Sequence, residues 1–168
     1  DFEAHRMLAE VHLSLHDFDK ALLHGTKAFQ LNPNDPRVTS VYGEILVRVN
    51  KISEGLDMLE KAYELDPVPQ GQSTSDKRIS ALITGYYLSN NLDRCNELFK
   101  SITDVDFRSW LMVLDINKNH KNENLASINI HSNKFKEIDY NLEIDRFHLN
   151  NKSLKNSLIE RAKEELIA

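Results

Sequence analysis

Cysteine and tryptophan each occur once in this chain of 168 residues, proline four times and glycine five times. A lone cysteine, Cys95, excludes an internal disulfide, so the fold is not that of a small cross-linked secreted domain, and a reducing, cytoplasmic setting is the expectation. With so little proline and glycine, the commonest breakers of helices are few. No run approaches the roughly 18 apolar residues that span a bilayer, and the opening DFEAHRMLAE lacks the basic start and apolar core of a secretory signal. A surplus of basic residues is missing too. Residues 1–70 hold 7 Lys/Arg against 12 Asp/Glu, residues 71–168 hold 14 of each, and neither part has the character of a nucleic-acid binder. No GxxxxGK[ST] or GxGxxG loop and no HExxH pair occurs, so phosphate cradling and the common zinc chemistry lack a motif.

What is present is helical periodicity, with hardly an alternating, strand-like run. Residues 28–35 read AFQLNPND and residues 62–69 read AYELDPVP, thirty-four residues apart. Each copy closes an apolar run: Leu22, Leu23, Ala28 and Leu31 in the first, Leu56, Leu59, Ala62, Tyr63 and Leu65 in the second. Pro33 and Pro67 lack an amide hydrogen and disfavour helical geometry just before them, so both helices stop there. Ahead of each stands a further apolar stretch, LAEVHLSL at 8–15 and SVYGEILVRV at 40–49, joined through HDFD and NKISE. The unit is helix, tight turn, helix, turn, and such a hairpin buries its apolar face only by stacking on copies of itself.

In period and in the placing of bulky and small residues the sequence resembles the tetratricopeptide repeat family. The corresponding places hold Leu8, Ala9, His12, Ala21, Ala28 and Pro33, then Tyr42, Gly43, Leu46, Gly55, Ala62 and Pro67. The small residues allow two helices to approach closely. The resemblance implies an all-α, right-handed α-solenoid with a C-terminal capping helix, read as one domain over 1–168. Its units run about 2–35, 36–69, 76–107 and 107–135, with a longer loop at 68–76 and the cap at about 151–168. The third unit places Leu82, Tyr86, Cys95 and Phe99 after a 40-residue step from Gly55 to Cys95. The fourth, drawn through Trp110, Val113, Leu114 and Ala126, is degenerate: residues 117–133 contain six asparagines. Leu154, Leu158, Ile159, Ala162 and Leu166 share one face of the cap. The chain begins at Asp1 with a helix under way by Phe2, and is read as part of a longer protein.

Candidate chemistry is sparse. His12 and His16 have the H-x3-H spacing that can hold zinc, with His5 earlier, but packing and turn roles are expected for them and no metal or other cofactor is assigned. Cys95 fills a small-residue packing place, and no carboxylate pair stands out from a solvated helix face. A non-catalytic protein is expected.

The resemblance implies a concave groove lined by the first helix of each unit. Carried over, its places hold Glu3, Arg6, Glu10 and Leu13, then Arg37, Ser40, Glu44 and Val47, then Lys77, Ser80, Thr84 and Tyr87, with Arg48 beside them. Mixed charges with apolar anchors suit a protein or peptide partner rather than a nucleic acid or a membrane. If Arg37 and Arg48 are both exposed, reversing their charges leaves stability nearly unchanged. The family's carboxylate clamp is not expected, because Glu10 and Val41 stand where it needs asparagines. The order of HRMLAEVHLSLHDFDKALLHGTKAFQLNPNDPRV, the GYYLSNNLDRCNELF unit and the closing RAKEEL helix is also similar to the C-terminal repeat region of bacterial multidomain signalling proteins such as class III adenylate/guanylate cyclases. That resemblance implies a regulatory arm with an intramolecular partner. Pairing of two copies through an exposed apolar side that includes Phe2 and Leu8 is a further alternative.

Overall fold

The computed structural model describes residues 1–67, 73–101, 112, 156–160 and 163–164. The chain divides into two compact units, Asp1–Thr103 and Asp104–Ala168, where the repeat pattern was read as one domain. In the first unit six helices follow one another: α1 (Phe2–Ser14), α2 (Phe18–Leu31), α3 (Pro36–Arg48), α4 (Ile52–Leu65), α5 (Ser73–Leu88) and α6 (Leu92–Phe99). They form three hairpins in the order expected, an α-solenoid in which α1 packs on α2, α3 on α4 and α5 on α6. Of the second unit, Met112 and residues 156–160 and 163–164 are helical, with Met112 and Leu158 buried. The remainder of the expected fourth unit (107–135) and of the cap lies outside the described residues.

Local chemistry fixes the helix ends. Asp1, Asp17, Asp35 and Asn91 each precede a helix and accept a hydrogen bond from its first turn, satisfying donors that have no partner within the helix. Pro36 takes the first position of α3, where a missing amide hydrogen costs nothing. α5 starts at Ser73, earlier than the loop expected through 76.

The first helix of each hairpin ends in the same corner. His16 (φ 58°), Asn50 (φ 68°) and Asn90 (φ 61°) adopt the left-handed conformation, and they sit at equivalent places in the three hairpins. The next amide reaches back five residues: Asp17 donates to the His12 carbonyl (2.9 Å), Lys51 to Leu46 (2.8 Å) and Asn91 to Tyr86 (2.8 Å). This is the closure usually given to glycine, here made by residues that tolerate a positive φ at modest cost. It gives His16 the turn role expected of it.

Small residues bring the paired helices together. Ala9 and Ala21, fully buried, form a core cluster with Ile45. In the second hairpin Gly43 and Gly55 occupy the same places. A Cβ on Gly43 would lie 2.9 Å from the Gly55 carbonyl oxygen, and one on Gly55 would lie 2.8 Å from that of Gly43. α3 and α4 therefore touch backbone to backbone. In the third hairpin Cys95 donates to the Ile83 carbonyl (3.5 Å) at the same crossing. Neighbouring hairpins interlock through aromatic rings, Tyr42 stacking on Phe29 at 4.8 Å. Leu8, the counterpart of Tyr42, has no such cover: it is 42% exposed, with Met7, Val11 and Leu15 also exposed along α1. On the second helices Leu23, Leu31, Tyr63 and Leu65 face solvent as well, although periodicity counted them with the apolar side.

Candidate interaction surface

The first helices of the three hairpins lie side by side, α1 against α3 and α3 against α5. At the α1–α3 end the expected groove residues form an ion network. Arg6 is held between Glu3 (2.6 Å) and Glu10 (2.8 Å) on successive turns of α1. Arg37 pairs with Asp35 at 2.7 Å and reaches across to Glu3 at 3.5 Å, linking α3 to α1. The Arg6 hydrogen bond holds the Glu3 carboxyl below the usual carboxylate range, and Arg37 does the same for Asp35. Both guanidiniums are correspondingly harder to deprotonate. These charges are partly solvated, so each pair contributes little to stability and leaves the network free to exchange partners. Ser40 and Glu44 are half-buried farther along α3, and Lys77 is exposed on α5.

The other expected residues are placed differently. Arg48 is 5% exposed, with its guanidinium carbon 5.6 Å from the Phe18 ring centroid at the start of α2. Its aliphatic stem and cation pack inside the hairpin stack, which corrects the expectation of an exposed Arg37 and Arg48 pair. Ser80, Thr84, Tyr87 and Val47 are buried too, and the Thr84 hydroxyl donates to the Ser80 carbonyl of its own helix (2.9 Å). The accessible part of the expected groove is thus Glu3, Arg6, Glu10, Arg37, Ser40 and Glu44, with Lys77 apart from them.

A further polar cluster ties hairpins together. The Tyr86 hydroxyl donates to Glu60 (2.7 Å), and Arg94 approaches Glu60 (3.4 Å) and Glu97 (2.9 Å). It joins α4, α5 and α6 as a structural clamp. Cys95 is buried and burial pushes its thiol up to about 12, so it stays protonated and unreactive.

The histidines meet in a way that their spacing does not announce. His16 turns at the corner, its ring 5.9 Å from that of Phe18, while His12 stacks on His24 at 5.7 Å. His24 in turn meets His5 edge to edge, the ring centroids 5.3 Å apart and the two Nδ1 atoms hydrogen-bonded at 3.0 Å. Among the described residues no group of three or more His, Cys, Asp or Glu comes together to hold a metal ion. No helix among them is long and apolar enough to cross a membrane.

Comparison with known proteins yields one family. Residues 2–35, the span of α1 and α2, match the family described as Tetratricopeptide repeat. No curated protein matches the chain.

Proposed function

We propose that this chain, whose first hairpin matches the tetratricopeptide repeat family, works as a protein-interaction module whose partner docks on the exposed first-helix face at α1 and α3. One observation carries the reading: Glu3, Arg6, Glu10 and Arg37 stand together across two hairpins, solvated enough to trade their mutual ion pairs for those of a ligand. Both signs of charge lie within a few ångströms of one another, which suits a peptide or helix carrying alternating charges more than a uniformly acidic or basic one. Binding of this kind requires no cofactor and no bond-making residue.

The test is capture of partners from a lysate of the source organism by the wild-type chain and by an Arg37→Glu/Lys77→Glu variant, with bound proteins identified by mass spectrometry. Both side chains are exposed, so the variant is expected to melt within about 0.5 kcal/mol of wild type. Loss of a partner by the variant supports the face, and equal capture removes it. Nothing captured by either chain would favour the intramolecular role that the similarity to cyclase-associated repeats implies.

The exposed stripe of Met7, Leu8, Val11 and Leu15 favours a second reading, pairing of two copies through α1. Light scattering decides it: a mass that rises with concentration and returns to that of one chain in a Leu8→Glu/Val11→Glu variant supports pairing, and a constant single-chain mass ends it.

A further inference from the structure

α3 and α5 each carry a face that the second helix of the preceding hairpin covers. On α3 that face is Val41, Tyr42 and Ile45. Leu22 of α2 packs on the cluster that holds Ile45, Phe29 stacks on Tyr42 at 4.8 Å, and a Cβ on Gly25 would lie 2.8 Å from Ile45 Cδ1. On α5 the same places hold Ala81, Leu82 and Gly85, and a Cβ on Gly85 would lie 2.6 Å from Leu56 Cδ2 of α4. Leu22 and Leu56 are themselves equivalent, so the two seams repeat one arrangement. Ile45, Ala81, Leu82 and Gly85 are buried in them, and Val41 and Tyr42 half-buried.

The corresponding places on α1 hold Met7, Leu8 and Val11. All three are exposed, Met7 and Val11 by more than half, and Leu15 one turn on is more exposed still. Water gives a helix face no reason to carry four such side chains. Their register matches that of two seams already filled, which says what shape of neighbour the stripe fits.

We infer that the α1 stripe is the receiving half of a further seam, and that its occupant is a partner protein's helical hairpin of this same 34-residue pattern, its second helix laid on α1 as α2 lies on α3. The occupant's chemistry is read from α2: an uncharged helix face with a leucine, a glycine or alanine one turn later, and an aromatic ring one turn beyond, as in Leu22, Gly25 and Phe29. The small residue matters because it admits Val11 between the helices, as Gly25 admits Ile45. A second copy of this chain fits less well. Its own α1 offers Met7, Leu8 and Val11 with no small residue at their centre. Its second helices are already engaged, α2 on α3 and α4 on α5, and Phe99 of α6 is buried. The inference rests on the stripe and not on the charged face, and the two fail separately.

The test tethers a probe hairpin to the full chain: a copy of residues 1–34 joined directly in front of Asp1, so that Asp1 follows Asn34 as Asp35 does. Tethering presents the occupant at a high effective concentration. The extended chain is expected to melt in one transition about 5 °C above the original, with amide exchange in the original α1 slowed by about tenfold or more. Leu8→Glu/Val11→Glu in the original α1 should abolish both effects, yet leave the melt of the untethered chain unchanged, because both side chains are exposed there. Exchange across α1 that the probe hairpin does not slow would overturn the inference, as would slowing that the double variant retains. So would light scattering of the untethered chain showing a mass that rises with concentration and falls to that of one chain in the double variant, since the stripe would then be taken by a copy of the chain itself.

Discussion

Replacing Gly43 with alanine sets two effects of opposite sign against each other. In a helix interior alanine is favoured over glycine by about 1 kcal/mol, so an unhindered exchange stabilises. At Gly43 the new methyl would meet the Gly55 carbonyl oxygen at 2.9 Å, Leu59 Cγ at 2.9 Å and the Leu59 amide nitrogen at 3.0 Å. Two of these atoms belong to the α4 backbone, which moves only if the whole helix moves. Overpacking of this kind costs about 1–3 kcal/mol before any propensity gain, and contact with backbone places it at the upper end. The net expectation is a loss of about 1–2 kcal/mol, or a melting temperature lower by about 2–8 °C for a chain of this size. Gly25 is the internal control. Its Cβ would meet Ile45 Cδ1 at 2.8 Å, the tip of a flexible side chain, and nothing else closer than 3.5 Å. Gly25→Ala should therefore leave stability unchanged or raise it by up to about 1 kcal/mol. Circular dichroism melts of the two variants beside wild type make the comparison. A Gly43→Ala variant that melts at or above wild type would refute the backbone-contact argument, as would equal losses at both glycines.

Other consequences are as direct. Arg48→Glu should destabilise by more than about 2 kcal/mol in urea unfolding, because it buries a carboxylate where a cation packs on Phe18, whereas Arg37→Glu, at a side chain 52% exposed, should stay within about 0.5 kcal/mol. Cys95 should resist a thiol reagent such as DTNB at pH 8 in the folded chain and react at once in denaturant, and rapid labelling of the native protein would contradict its burial. His24 has its folded pKa below the unfolded imidazole value, so the unfolded chain binds the proton more tightly. The stability it contributes is complete above about pH 6.5 and is lost as pH falls through its lower folded value. Urea midpoints from pH 7.5 to 5 should fall more steeply in wild type than in His24→Gln, and parallel curves would show that the ring is not responsible.

The hairpin ladder was legible because it is written in local terms. Pro33, Pro67 and the small residues at 9, 21, 43 and 55 carry their meaning in their own spacing, and the helices follow it. Burial was less legible. Periodicity tells which side of α3 and α5 a residue occupies but not how deeply that side is covered, so Arg48, Ser80, Thr84 and Tyr87 were taken for surface and are buried. The left-handed corners were hidden by residue type, since neither histidine nor asparagine declares a positive φ as glycine does, although their common place in three hairpins was there to be noticed. The His5–His24 pair lay beyond any helical spacing, its members separated by nineteen residues and brought together only by the antiparallel return of α2.

Each helix of the first unit packs on its neighbours in sequence, and each first helix also on the next first helix. Such an arrangement behaves as a chain of coupled links, with stability the sum of each hairpin's own and of the joints between them. Damage then travels one joint and fades. The charged face and the imidazole pair both lie on the first hairpin, α1 and α2, with Arg37 reaching Glu3 across the joint to α3. Whatever grips them strengthens that link of the array, so occupancy would be felt as slower opening of the first hairpin, with little change at α5 and α6.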